Sequence, residues 1–318
     1  MGSKGKVSPV GEHTESVAVV FPGQGSQRTG MADAWRGQPS FTRWEQAGDL
    51  LGRDVSRLGL DADADELRVP LNCQVALFVH GVVVHEAWAA TGATATTTAG
   101  HSLGEYNALV AAGVLDFDDG LRLVDARARA TQTAADQRPG TMVACLGYPV
   151  DVVAAACERV GAHVANDNAP GQIVAAGQAD ALHRLREDLA ATGERGKVVP
   201  LEVGAAYHSP HMQPAVAPFG AVLDATAFRD SAVPVIANVD AQPHGAAGDW
   251  PRLLRDQLTS PVRWRETVMT MAGAGVGRVV ELGASAVLTG LVKRTDRSLD
   301  RRTVITPDDL SDVLEGSR

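Results

Sequence analysis

The stretch TATTTAGHSLGEYNALVAAG, residues 94–113, decides the fold. It passes from a Thr-rich, strand-forming segment through Gly100-His101-Ser102-Leu103-Gly104 into a run of helix formers. A serine flanked by glycines two residues away on each side, between a strand and a helix, is the nucleophile-elbow pattern. The glycines relieve crowding at a sharp turn and leave the hydroxyl exposed. The N–H groups that open the following helix favour an anion developing there. Five residues alone suit a plain tight turn just as well, so the surrounding chain has to decide between them.

Upstream, SVAVVFPGQG (16–25) is a continuous apolar run closed by Pro and Gly, the signature of a buried parallel strand and its loop. QVALFVHGVVVHEAWAATG (74–92) is long and apolar with few breakers and predicts a buried helix. Downstream, GEYNALVAAGVL and DFDDGLRLVDARARATQTAA predict two more helices. Alternating strands and helices imply an α/β fold with a mainly parallel sheet. The texture changes at Gly140. TMVACLG (141–147), DVVAAACERVG (151–161), HVANDNAPGQIVAAG (163–177), ADALHRLREDLAATG (179–193) and KVVPLEVG (197–204) read strand, helix, two strands around a turn, helix, strand. That is the ferredoxin-like order. AVPVIANV (232–239) and GRVVELG (277–283) then return as strands. The expected organisation is a disordered leader at 1–15, a large α/β-hydrolase-like domain over 16–139 and 206–318, and a ferredoxin-like insert over 140–205.

The 318 residues are 45% hydrophobic, enough for one substantial core. No apolar run is long enough to span a membrane, and MGSKGKVSPVGEHTES lacks the apolar core of a secretory signal. Three cysteines, Cys73, Cys145 and Cys157, spell neither a disulfide framework nor a metal site, which points to a cytoplasmic protein without a metal. A net charge of −9 argues against nucleic acid as a partner. Lys293, Arg294, Arg297, Arg301 and Arg302 cluster against that trend, as a solvated helix end or as a docking patch for an acidic partner.

A serine hydroxyl needs a base. His101 adjoins Ser102 but should point away, whereas His208, in VGAAYHSPHMQP, sits where the chain re-enters the large domain. His211 beside it reads as a surface residue. GQGSQ (23–27) matches no nucleotide motif and reads as a tight turn or as a loop that donates to an oxyanion. Arg127 stands on a largely apolar helical face. Its planar fork suits a carboxylate, although a surface salt bridge near Asp125 is the plainer alternative.

GQGSQ, GHSLGE, Arg127, NDNAPGQIVAAG and AYHSPHM occur in the order that marks one family, as do LTSPVRWRETV (258–268) and ELGASAVLTGLVKR (281–294). From about residue 17 to 310 the chain resembles the malonyl-CoA:acyl-carrier-protein transacylases and the free-standing, trans-acting acyltransferases of polyketide synthases. The resemblance implies Ser102 as the acylated nucleophile and His208 as its base. Gln24 and the Leu103 N–H would form the oxyanion hole, and the main-chain carbonyl of Gln257 would orient His208. Arg127 would hold the carboxylate of a malonyl-type unit. Gln74, Asn166 and Asn168 would line the substrate and pantetheine path. It also implies a monomer with no bound cofactor. The substrate would be a coenzyme A thioester and the acceptor a phosphopantetheinylated acyl carrier protein, with Lys293, Arg294 and Arg297 as its docking residues.

The sequence departs from the family at Ala128 and Thr131, where Gly and Met are usual, and at GAS (283–285), where Gly-Pro-Gly is usual. Tyr207 precedes the histidine, and a ring there should crowd an α-branched acyl unit. Thr131 would shape the same pocket. Alternatives on the same scaffold are a carrier-to-carrier transferase and a hydrolase of carrier-bound thioesters. An ordinary hydrolase triad would need an acid such as Asp151 or Asp167, and both fall inside the expected insert.

Overall fold

The computed structural model describes residues 16–314, so the expected leader lies outside the described residues. Among the described residues ten strands form two sheets. The first sheet contains β1 (Val17–Phe21), β2 (Thr97–Gly100), β7 (Val235–Ile236), β8 (Pro243–His244), β9 (Arg278–Leu282) and β10 (Asp300–Val304). Their order is β10-β9-β1-β2-β7-β8, parallel throughout except that β8 runs against β7. The central strands carry apolar residues on both faces because helices cover both sides.

Before β2 come helices α1 (Thr42–Leu51), α2 (Ser56–Leu60), α3 (Ala64–Arg68) and α4 (Pro70–Ala89). α4 has no polar stripe, and every residue from Cys73 to Val84 is buried, as expected of a helix that is apolar all round. α5 (Gly104–Ala111) and α6 (Phe117–Gln137) follow the elbow and pack on it.

The second sheet holds β3 (Thr141–Leu146), β4 (His163–Ala169), β5 (Gln172–Gly177) and β6 (Lys197–Pro200), antiparallel in the order β4-β5-β3-β6. With α7 (Val150–Val160) and α8 (Ala179–Ala191) this is the ferredoxin-like arrangement. Its two faces follow the strand period of two. Val143, Cys145, Ile173 and Ala175 face Val153, Ala156, Leu182, Leu185 and Leu189 of the helices. Each fully buried Leu or Val there contributes about 1.5–3 kcal/mol. Met142, Ala144 and Val174 point the other way, toward the first sheet.

α9 (Gln213–Ala225), α10 (Trp250–Gln257), α11 (Trp264–Gly273), α12 (Leu288–Thr295) and α13 (Asp309–Leu314) complete the chain. The segment between α10 and α11 fastens the two sheets together. Asp167 donates its N–H to the Val262 carbonyl and Val262 donates to Ala165, both at 2.9 Å, while the Asp167 carboxylate pairs with Arg265 at 2.7 Å.

Two expected strands are shorter than read. Of 232–239 only Val235–Ile236 pair as a strand, because Pro234 has no N–H and Asn238 turns back to bond the elbow. Of 197–204 only Lys197–Pro200 form the strand; Leu201 still donates its N–H to the Met142 carbonyl at 3.0 Å, and Leu201 and Val203 line a cavity.

Candidate active site

The elbow is enforced sterically. A Cβ at Gly100 would lie 1.9 Å from backbone atoms of Gly104, and one at Gly104 would lie 2.1 Å from the Phe21 carbonyl oxygen. Only glycine lets β1, β2 and the start of α5 approach this closely. Ser102 sits between them at φ 53°, a strained value for a non-glycine residue. Asn238 holds the strained turn. Its side chain accepts the Ser102 N–H at 2.7 Å and donates to the Gly100 carbonyl at 2.6 Å.

Ser102 Oγ lies 2.7 Å from His208 Nε2. His208 is also at positive φ, 56°, and is buried. Its Nδ1 lies 2.9 Å from the main-chain oxygen of Gln257 at the C-terminal end of α10. A carbonyl only accepts, so Nδ1 carries the proton and Nε2 is left to accept from the serine. Burial first, and then the charge of Arg127, push the imidazole down to about 3, so it is neutral at physiological pH. The helix end also presents carbonyl oxygens without intrahelical partners, which favour a cation forming on that ring.

Arg127, on α6, is buried, and it is not a surface salt bridge. Asp125 pairs instead with Arg129 at 2.7 Å. Arg127 donates to Gln74 Oε1 at 2.6 Å, to Gln257 Oε1 at 3.0 Å and to Ser102 Oγ at 3.1 Å, and its guanidinium lies over the Tyr106 ring. It bonds no carboxylate. Its Nε–H and the amide N–H groups of Gln74 are buried without acceptors. A buried cation with spare donors beside a nucleophile is a preformed seat for an anion.

A cavity of about 360 Å³ opens above Ser102, between the two sheets. Gly23, Gln24 and Tyr207 line it on one side, and Asn166, Asn168 and Gln172 on the other. Val287, Leu288 and Leu291 at the start of α12 close its mouth. Among the described residues, nothing accepts from the backbone N–H of Leu103 or of Gln24. The Gln24 side chain reaches the Tyr207 hydroxyl and the thiol of Cys73, which burial pushes up to about 12. His101 makes no bond to Ser102. It meets Asn168 Oδ1 at 2.7 Å and packs on Trp264.

Not every expected residue reaches the cavity. Arg127 and Gln257 bond Ser102 from below without lining the wall, and Leu103 does not line it either. Gln74 lies behind Arg127, and Thr131 does not line the cavity. The Thr131 hydroxyl donates to the carbonyls of Arg127 and Ala128 within its own helix. Lys293, Arg294 and Arg297 are exposed, the first two at the far end of the helix whose start lines the cavity mouth. Neither acid considered for a triad approaches His208. Asp167 pairs with Arg265 and Asp151 is exposed on α7. His211 is half-buried, with its Nδ1 enclosed.

Three residues of the site had no role in the sequence reading. Gln172 follows Pro170-Gly171 at the start of an expected strand, and Asn238 is one residue of another. Glu105 belongs to the quoted GHSLGE. It is buried, accepting the Asn238 N–H at 2.7 Å and the Gln257 amide at 2.6 Å. No group of three or more metal-ligating side chains occurs among the described residues, and no helix there is long and apolar enough to cross a membrane.

Fold and site together define an acyltransferase on an α/β-hydrolase-like scaffold with a ferredoxin-like second sheet. Residues 18–311 match the family described as acyl transferase domain, and the chain belongs to that family. It is similar to the malonyl CoA-acyl carrier protein transacylase of Bacillus subtilis, at 37% identity over 94% of this chain and 96% of that one. The protein of that name from Escherichia coli is 36% identical over 94% and 98%. Among solved structures, a type II polyketide synthase acyl-carrier protein in complex with its malonyl-transacylase matches with TM-score 0.91 and 35% identity, covering 95% of this chain and 99% of that one.

Proposed function

We propose that the protein transfers a malonyl unit from coenzyme A to the phosphopantetheine thiol of an acyl carrier protein, in fatty acid or polyketide biosynthesis, through an acyl-enzyme on Ser102. The observation that carries this reading is the placement of Ser102 Oγ between His208 Nε2, at 2.7 Å, and the buried guanidinium of Arg127, at 3.1 Å. The base activates the hydroxyl, and the cation selects an acyl group that ends in a carboxylate.

Ser102 Oγ attacks the thioester carbonyl carbon and its proton passes to His208 Nε2. The developing oxyanion takes the N–H groups of Leu103 and Gln24, neither of which has another acceptor. The Gln257 carbonyl steadies the imidazolium. The carbon–sulfur bond breaks, His208 returns its proton to the departing coenzyme A sulfur, and malonyl remains as an ester. In the second half the carrier thiol gives its proton to His208 and its sulfur attacks the ester. Ser102 leaves and recovers the proton. Every step is acid–base and acyl chemistry on groups this chain supplies, so no cofactor takes part.

Arg127 seats the malonyl carboxylate through the guanidinium that lies beside Ser102 Oγ, a buried cation that bonds no carboxylate of the protein. A neutral acyl chain gains nothing from that seat, which favours this reading over a carrier-to-carrier transferase or hydrolase for neutral groups. The Tyr207 ring on the cavity wall disfavours α-branched units. Asn166 and Asn168 receive the pantetheine amides. Lys293, Arg294 and Arg297, at and beyond the far end of the helix whose start lines the cavity, meet the acidic carrier. We place the enzyme in the cytoplasm, on three buried free thiols, and expect a monomer.

Intact-protein mass after brief mixing with malonyl-CoA tests this, with a chase by holo carrier protein. A malonyl adduct that needs Ser102 and passes to the carrier supports the proposal. No adduct, or rapid loss of acyl groups to water, refutes it.

A further inference from the structure

We infer that Glu105 is a positioning residue for acyl selection: its carboxylate sets which way the Gln257 amide points, and that amide aims Arg127 at the substrate. The inference rests on the reading of Arg127 above.

The Gln257 side chain touches three groups of fixed polarity. Its Oε1 accepts from Arg127 at 3.0 Å. Its Nε2 donates to the Ser102 carbonyl at 2.9 Å and to Glu105 Oε2 at 2.6 Å. An amide can turn over, exchanging oxygen for nitrogen in nearly the same space. Turned over, it would set nitrogen against the guanidinium, donor to donor, and oxygen against the Ser102 carbonyl and Glu105, acceptor to acceptor. What blocks this most strongly is an acceptor-only group, which Glu105 becomes as its carboxyl, pushed up to about 8 by burial, ionises. The other oxygen of Glu105 takes the N–H of Asn238, the residue that clamps the elbow. Both oxygens therefore face donors, and Glu105, Gln257, Asn238 and Arg127 are buried.

The arrangement also places charge at a chosen distance. Glu105 attracts Arg127 but bonds it only through the amide between them. Direct pairing would close the guanidinium to a substrate carboxylate. One intervening amide leaves the buried cation compensated at a distance and still open. In a dry site an uncompensated cation is expensive and a directly paired one is unavailable, and the relay avoids both.

The test is Glu105→Gln, which keeps size and shape but brings an N–H₂ group against one of two existing donors. Acyl-enzyme formation is followed by intact mass with malonyl-CoA and with acetyl-CoA at a pH above about 8, where Glu105 is ionised, alongside wild type and Arg127→Ala. Loss of aim should cost malonyl loading roughly 10- to 100-fold in kcat/KM while acetyl loading stays within about threefold, because only malonyl needs Arg127. Equal losses on both substrates, or an unchanged preference, overturn the inference. If Arg127→Ala leaves the preference intact, the reading of Arg127 fails instead, and the two failures are distinct. Where Glu105→Gln does not fold, Gln257→Met carries the test. It removes the amide and keeps the main-chain carbonyl for His208. The malonyl preference must fall by a comparable factor, and its survival overturns the inference.

Discussion

Replacing Arg127 with Ala should separate acyl groups by charge. The guanidinium is buried, bonds no carboxylate, and keeps its Nε–H without an acceptor. A malonyl carboxylate arriving there forms the site's only direct ion pair with it. In the variant that carboxylate is desolvated without a countercharge. Breaking one side of a buried, hydrogen-bonded charge pair costs about 3–5 kcal/mol. At about 1.36 kcal/mol per factor of ten, kcat/KM for malonyl loading should fall roughly 10²- to 10⁴-fold. Acetyl loading needs no countercharge and should change little, so the preference collapses or inverts. The assay is the rate of acyl-enzyme formation on each thioester at equal concentration, read by intact mass. A malonyl loss under about tenfold, or an equal loss on acetyl-CoA, would show that Arg127 braces the elbow and does not bind substrate.

Asn238→Ala should leave the Ser102 N–H and the Gly100 carbonyl unpaired under a buried turn. At about 1–3 kcal/mol for each orphaned group, thermal unfolding should shift down by several degrees, and acylation should slow because Ser102 loses its strained conformation. An unchanged melting temperature counts against the clamp. Acidity offers a separate check. Burial pushes the Glu105 carboxyl up to about 8, against the pull of the Asn238 N–H, the Gln257 amide and Arg127, while Asp240 adds to the upward push. The ionised form, with both oxygens facing donors, therefore fills as pH rises through about 8, and malonyl loading should climb over that window and level off. His208, held near 3, stays neutral throughout and cannot supply that limb. The slope should vanish in Glu105→Gln. The stability linkage runs oppositely: the folded-state value lies above the free one, so this group's contribution is fully present below about 4.5 and is lost as pH rises through about 8. Finally, Lys293→Glu with Arg294→Glu should slow transfer to an acidic carrier several-fold, more at low salt, and leave loading from malonyl-CoA unchanged. Equal slowing of both halves would place those residues elsewhere in the mechanism.

Much of the molecule was legible from the chain alone, for local reasons. A serine between two glycines, after a β-forming run and before a helix former, specifies the turn, because no Cβ fits at Gly100 or Gly104. A helix without a polar stripe has to be buried, as α4 is. The strand and helix alternation of 141–200 specifies the second sheet, because its faces follow a period of two. What stayed hidden depends on residues distant in sequence meeting in space. Asn238 lies 136 residues from the N–H it accepts, and Gln257 lies 152 residues from Glu105. Nothing local marks an amide as a relay or a carboxylate as its anchor. Whether Arg127 was a surface cation or a buried, unpaired one was open for the same reason, since α6 has charged neighbours on both sides of it. Thr131 shows the converse, a residue expected at the pocket whose hydroxyl bonds its own helix instead. Backbone conformation and burial follow from short-range sterics and periodicity, which the sequence carries by itself. The aim of a side chain, the charge it faces and the acceptor it lacks are set by groups that only the tertiary structure brings together.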